Sequence, residues 1–286
     1  MAKNKVDVSV VAANYNNGRY LKDFIYSIVN STVLPSELII VNDGSTDNSL
    51  EILDEFSGLE ILKVIKFEEN RGLCEALNAG IELASAKYIL RADPDDILFK
   101  HRIEKQFTFL EENKEIDVVG SNVMYFHDNT NKDISVSNFP EDHNNILKAY
   151  RKGEHGIQQP TVMVRTHVMK KFRYIQENFK SEDYDIFARI IHAGHKFANI
   201  KEPLNRMRVH TNSVSINIKY DTIKHTFALR DQIFNTQTSP LKMRLYYGYI
   251  LNYKKYLIAK NPLRKYLYLG MAALFYPGKV LKRIFN

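Results

Sequence analysis

Cysteine is almost missing. Cys74 stands alone in 286 residues, so no internal disulfide can form, and a reducing compartment suits the chain. Long apolar runs are missing too: no segment reaches the roughly 18 apolar residues that a membrane span needs. The short run VDVSVVAA near the N-terminus is broken by Asn14 and Tyr15, where a secretory signal would continue. The expectation is a cytoplasmic protein, peripheral if it meets a membrane at all. A third absence is local. Residues 232–286 hold ten Lys or Arg and no Asp or Glu, which leaves 30 basic against 33 acidic side chains in the rest. The net +7 therefore belongs to the tail, while the body is mildly acidic. No internal repeat and no low-complexity linker divides the chain.

What remains is a globular composition, 44% hydrophobic and 26% charged, long enough to bury a real core. The first hundred residues alternate between two periods. VDVSVVAA (6–13) reads as a buried strand, and ELIIVND (37–43), ILKVIKF (61–67) and KYILRA (87–92) read as further strands. Between them, 20–31, 45–56 and 73–84 carry helical spacing, the second opening on N-cap residues Ser45 and Thr46. Such alternation predicts βαβ units and a mostly parallel central sheet flanked by helices, an α/β fold. Further on, 117–126 and GIQQPTVMVR (156–165) read as strands, SEDYDIFARIIHAGH (181–195) as an amphipathic helix, and 203–215 as mixed. The tail reads as basic, tyrosine-rich helices.

In parallel sheets, ligands bind outside the carboxyl ends of the strands. Four polar clusters should meet there: ANYNNG, NDGSTD, EENRG and DPDD. The last crowds Asp93, Asp95 and Asp96 into four residues, where like charges raise one another's pKa. Either this is a solvated turn shaped by Pro94, or a hard cation such as Mg²⁺ or Mn²⁺ sits among the carboxylates. Asp43 is an ordinary strand-to-helix turn residue or a free acceptor for a base or ribose. Arg71, at a helix N-terminus, is an exposed side chain or an anion ligand. Tyr15 packs in the core or stacks on a base. Glu182 and Asp183 complement a helix dipole or supply a general base.

Taken in order, ANYN, VNDGSTDNS, NRGLCEALNAGIELASAKYILRADPDD, EDYDIFARI and RMRVH resemble glycosyltransferase family 2 on its GT-A fold, over about residues 6–215. The match is densest over 70–106, and the relatives resembled are bacterial enzymes of surface polysaccharide synthesis. The resemblance implies a GT-A domain over about 1–215. In it, about 1–100 form the nucleotide-sugar half and 101–215 the acceptor half, before a helical extension at 216–286. It implies that Ala13, Tyr15, Asp43, Arg71, Arg91 and Asp93 meet the donor. Asp93 and Asp95 would form the D-x-D pair that holds the divalent cation, with His210 approaching it, and Asp96 would hold the turn. Asp183 would be the general base, with Glu182 and Gln159 toward the acceptor. Pro94 departs from the usual Ala or Ser, and Gln159 stands where relatives often carry His.

The implied reaction is inverting transfer from a nucleotide-sugar, UDP ahead of dTDP or GDP, to a saccharide or lipid-linked saccharide. The acid-free tail, rich in Tyr, Leu and Phe, fits an anionic membrane surface at the inner face of the cytoplasmic membrane, with a helical cap or dimer contact as alternative. No nucleic-acid module is present. Two other readings remain: a catalytically silent binding subunit that keeps the fold, and a sugar-nucleotide pyrophosphorylase. The latter wants a Gly-rich loop after the first strand, where AANYNNGRY offers one Gly.

Overall fold

The computed structural model describes residues 3–209, 219–259 and 261–285. The chain divides into two compact units, Met1–His210 and Thr211–Asn286.

The first unit opens as the sequence predicts. Strands β1 (Lys5–Asn14), β2 (Leu34–Asp43), β3 (Leu62–Phe67) and β4 (Tyr88–Arg91) alternate with helices α1 (Gly18–Val29), α2 (Ser49–Glu55) and α3 (Leu73–Leu83). They pair in the order β3-β2-β1-β4, all parallel. Both faces of β1, β2 and β4 are covered, which is why they read as continuous apolar runs, whereas β3 is an edge strand with no fully buried residue and with Lys63 and Lys66 exposed. One face, with Val8, Val10, Leu38, Ile40, Tyr88 and Leu90, joins α1 residues Leu21, Phe24 and Ile25 in one core. The other face meets α3 at Gly80. A Cβ there would lie 2.7 Å from Val11 Cγ1 and 3.2 Å from Val41 Cγ2. Gly80→Ala is therefore expected to push the helix off the sheet, at a cost of about 1–3 kcal/mol, read as a lower urea midpoint.

Beyond β4 the sheet changes character. A two-residue edge strand β5 (Ile97–Leu98), α4 (Arg102–Glu112), β6 (Val118–His127), β7 (Asp133–Val136), α5 (His143–Arg151), β8 (Met163–Arg165), α6 (Thr166–Phe172), α7 (Glu182–His192) and β9 (Phe197–Val209) complete the unit. The order runs on as β4-β8-β6-β9-β5, with β7 beside β6. β8 is antiparallel to both β4 and β6, while β6 and β9 are parallel. The sheet is thus all-parallel over β3-β2-β1-β4 and mixed beyond β4, where β8 and β5 pair antiparallel with their neighbours.

Three boundaries differ from the sequence reading, each for a physical reason. α2 starts at Ser49, not at 45, because Ser45, Thr46 and Asp47 bond to the loop after β1 instead of starting a helix. The stretch 156–165 is strand only over Met163–Arg165; Pro160, which has no N–H for a ladder, sits in a 3₁₀ turn at Gln159–Thr161. Of the mixed segment 203–215, residues 203–209 are the second half of β9 and the rest lies outside the described residues. Pro203 fits because it falls where the β6–β9 register shifts, opposite Asn122. The Asn122 amide fills that break, donating to the Lys201 carbonyl and accepting from Phe139 N–H.

The second unit is α8 (Tyr220–Phe234), α9 (Pro240–Ile258), α10 (Pro262–Phe275) and α11 (Pro277–Phe285). Pro240 and Pro262 stand in the first turns, and Ser239 and Asn261 cap α9 and α10 by accepting from Lys242 and Arg264 N–H. Its core is built on Tyr249, Ala272 and Val280.

Candidate active site

Because β1 to β4 are parallel, the loops after them share one sheet edge. The order reverses between β1 and β4, the switch point where a crevice opens in such sheets. The loops after β1 and β2 are tied together. Asn14 Nδ2 donates to Asn42 Oδ1 at 3.0 Å, and Asn16 Oδ1 accepts from Thr46 N–H at 2.8 Å. Asn16 itself takes a left-handed φ of 54°, which asparagine tolerates. Tyr15 projects from this knot, 47% exposed, so its ring is not a core ring. Ala13, near the end of β1, is partly buried.

Asp43 corrects one expectation. Its carboxylate is not a free acceptor. It is buried and accepts from Arg71 N–H at 2.7 Å, Gly72 N–H at 2.9 Å and Asn70 Nδ2 at 3.1 Å. It therefore fixes the loop before α3, and any base contact would use lone pairs left over. Gly44 next to it has φ +65°, and a Cβ would meet the Glu69 backbone at 2.4 Å, so only glycine lets the two loops approach. Arg71 is exposed, with its guanidinium 4.5 Å over the Phe67 ring.

The DPDD turn closes with Asp96 N–H on the Asp93 carbonyl. Burial alternates along it: Asp93 and Asp95 are partly exposed, Pro94 and Asp96 buried. Asp96 holds the turn against β9, accepting from Asn205 Nδ2 at 2.8 Å and Arg208 N–H at 2.9 Å. Burial, with the charges of Asp95 and Asp93, pushes its carboxyl well above the usual range. Asp93 pairs with Arg91, a buried guanidinium; burial raises the Asp93 carboxyl, Arg91 opposes it and Asp95 adds to it. Arg208, with its guanidinium over the Tyr20 ring at 4.4 Å and the Phe126 ring at 4.7 Å, donates from Nε to the Asp95 carbonyl at 2.8 Å and braces the turn.

The donor set of Asp93 and Asp95 fits a hard divalent cation. Both side chains are partly exposed, and Asp95 adds to the charge that disfavours ionised Asp93, a repulsion such an ion relieves. Among the described residues no set of three His, Cys, Asp or Glu side chains is placed to hold an ion. Two carboxylates with substrate phosphate oxygens remain a fitting arrangement. His210 lies outside the described residues.

On the first turn of α7, Asp183 keeps 35% side-chain exposure, with Oδ1 accepting from Tyr184 N–H at 2.7 Å. His155 Nδ1 stands 3.6 Å from its Oδ2. Nothing in the spacing of RKGEHGIQQP announced that neighbour. Glu182 is 9% exposed, and its Oε2 has no hydrogen-bond partner among the described residues. Burial, then the charge of Asp183, raises its carboxyl to about 7. A raised acid favours the protonated folded state. Folding therefore loses stability as pH climbs from the unfolded-chain value through 7, by about 1.4 kcal/mol for each pH step of one in that window. Glu182→Gln should consequently melt higher than the parent at pH 8 and equally at pH 4, measured by calorimetry.

Gln159 is buried, and its Nε2 donates to the Tyr174 hydroxyl at 3.1 Å. Cys74 is buried and its thiol is pushed up to about 12, by burial first and Glu182 next, so it is no nucleophile.

A helix-flanked central sheet, parallel over β3-β2-β1-β4 and mixed beyond, with acidic residues on the loop after β4 and on the first turn of α7, defines a GT-A-like α/β class of protein. Residues 9–179 match the family Glycosyl transferase family 2, and the chain belongs to it. It is 36% identical over 206 residues to an uncharacterized glycosyltransferase of Methanocaldococcus jannaschii, covering 71% of this chain and 70% of the relative. It is 28% identical to the amylovoran biosynthesis glycosyltransferase AmsE of Erwinia amylovora, covering 84% and 90%. The Escherichia coli UDP-Gal:alpha-D-GlcNAc-diphosphoundecaprenol beta-1,3-galactosyltransferase is 29% identical, covering 70% and 73%. Among solved structures, Staphylococcus aureus TarS with UDP-GlcNAc superposes at TM-score 0.63, 19% identity, over 96% of this chain and 82% of that one. The mannosyltransferase PcManGT of Pyrobaculum calidifontis, with GDP-Man and Mn²⁺, does so at 0.61, 17% identity, over 98% and 82%. The fold is the GT-A type, and the protein is a glycosyltransferase of family 2.

Proposed function

We propose that the chain transfers a hexosyl or N-acetylhexosaminyl group from a UDP-sugar to a saccharide, most fittingly one carried on a lipid diphosphate, with inversion at the anomeric carbon. The observation that carries this reading is electrostatic. Arg91, paired with Asp93, also acts on the Glu182 carboxyl, so the carboxylate turn and the α7 acids share one charged neighbourhood. A donor diphosphate and an acceptor hydroxyl could then be held close together.

In this reading Tyr15 stacks on the base, Asp43 holds the loop that presents Arg71 to the diphosphate, and Asp183 accepts the proton of the attacking hydroxyl. Asp93 and Asp95 would hold a divalent cation, Mn²⁺ or Mg²⁺, which when bound neutralises charge on the leaving diphosphate. Buried Glu182, with its unpartnered Oε2, meets a sugar hydroxyl. The two solved neighbours bind UDP-GlcNAc and GDP-Man with Mn²⁺, and the E. coli relative acts on a diphosphoundecaprenol sugar; these support donor, metal and acceptor class. A lipid-linked acceptor would place the work at the inner face of the cytoplasmic membrane. Among the described residues no helix is long and apolar enough to cross one.

The test is donor turnover by the full-length chain across UDP-, dTDP- and GDP-sugars, with Mn²⁺ or with EDTA. Release of UDP that needs metal is the expected result. No turnover, together with no rise in melting temperature on adding UDP and Mn²⁺, would leave a silent binding subunit.

A further inference from the structure

Helix α10 is apolar on both sides. Leu269, Ala272, Ala273 and Phe275 belong to the core around Tyr249. The opposite arc does not. Leu263 and Leu274 are each 83% exposed, and Tyr266, Leu267 and Met271 are exposed with them. At 100° per residue these five side chains span about 140° of the helix, with Gly270 among them and no charged residue inside the arc. A helix apolar all round is covered by protein or by lipid. At 14 residues α10 is about 21 Å long, short of the roughly 30 Å of a bilayer core, so it can lie in an interface but not cross it.

Charge selects the occupant. Arg264 is exposed at the edge of the arc, and Lys242 and Arg244 are exposed on α9. No acid occurs anywhere in 232–286. Two copies meeting arc to arc would bring identical cationic flanks together. Nucleic acid would satisfy the charge and leave five apolar side chains in water. A sheet of anionic headgroups over acyl chains satisfies both. We infer that the exposed arc of α10 seats in the headgroup boundary of an anionic phospholipid bilayer, with the basic residues around it neutralising lipid charge. The inference rests on the lipid-linked acceptor read above for its purpose, and on the second unit alone for its evidence.

The experiment is co-sedimentation of the full-length chain, without nucleotide, with vesicles of phosphatidylcholine alone or mixed with phosphatidylglycerol. The mixed vesicles are expected to bind at least about tenfold more tightly, with salt weakening the difference. Leu267→Asp/Leu274→Asp, both on the exposed arc, should lose at least about tenfold in partition while keeping the parent's melting temperature. Arg264→Glu should reduce the preference for phosphatidylglycerol and leave the weak binding to phosphatidylcholine. Equal partition of parent and double variant would overturn the inference. So would absence of binding to the mixed vesicles, or a dimer in light scattering that the double variant dissolves. Turnover of a soluble acceptor by a chain that ignores vesicles would overturn only this inference; vesicle binding without donor turnover would overturn only the transfer reading.

Discussion

Asp183→Asn should fold like the parent and lose about 10²–10⁴-fold in kcat, the range a positioned general base supplies. The geometry separates chemistry from stability here. The carboxylate is partly exposed and makes one backbone contact, to Tyr184 N–H, which an asparagine Oδ1 accepts equally well. Melting should therefore shift by no more than about 0.5 kcal/mol. Nucleotide affinity should hold, because the proposed donor contacts lie on the loops after β1 to β4. A fall in kcat with donor KM unchanged is the pattern of an interaction made at the transition state. Asp185→Asn is the matched control on the same helix. That carboxylate is buried and holds Arg189 through Nε at 3.0 Å and Nη2 at 2.7 Å. Its loss should lower the melting temperature and leave per-molecule kcat near the parent's. Equal kcat losses in both variants would remove Asp183 from the role of base.

The sequence carried the parallel half well, for a reason specific to it. Strands covered on both faces, such as VDVSVVAA and ELIIVND, leave apolar runs that need no partner to be recognised. The DPDD turn was legible as a crowd of charge, and the observed alternation of exposed and buried positions separates Asp93 and Asp95 from Asp96. What escaped was set by distant partners. Asp43 looks like a free acceptor until the loop 27 to 29 residues further on returns its N–H groups to it. Ser45 and Thr46 look like helix caps until Asn14 and Asn16 claim them. His155 lies 28 positions before Asp183, a spacing that no local period links, and only the packing of α5's exit against α7 brings them together. Arg208 reads as one cation among several in RMRVH, and its bond to the Asp95 carbonyl depends on the β6–β9 pairing.

Neighbouring carboxylates in that turn should fail in opposite ways. Asp95→Ala removes a partly exposed side chain, and the turn's hold on Arg208 passes through its backbone carbonyl, which alanine keeps. The fold should stand, while metal-dependent turnover falls by at least about 10²-fold, since a bound cation contributes several kcal/mol at the transition state. Titration calorimetry with Mn²⁺ and UDP should show the same loss without substrate chemistry. Asp96→Ala removes a buried acceptor from Asn205 Nδ2 and from Arg208 N–H. Each stranded donor costs about 1–3 kcal/mol, so the melting temperature should drop first and activity follow it. Asp96→Asn distinguishes charge from hydrogen bonding. Its amide oxygen can still accept from Arg208 N–H, and it lacks the charge that burial disfavours, the cause of that carboxyl's raised pKa. It should therefore recover much of the stability lost in Asp96→Ala, and more so as pH rises above the unfolded-chain value, where a carboxyl whose folded-state pKa is raised costs the parent progressively more stability. If Asp95→Ala unfolds as readily as Asp96→Ala, the turn is a structural brace throughout, and the cation must be held elsewhere.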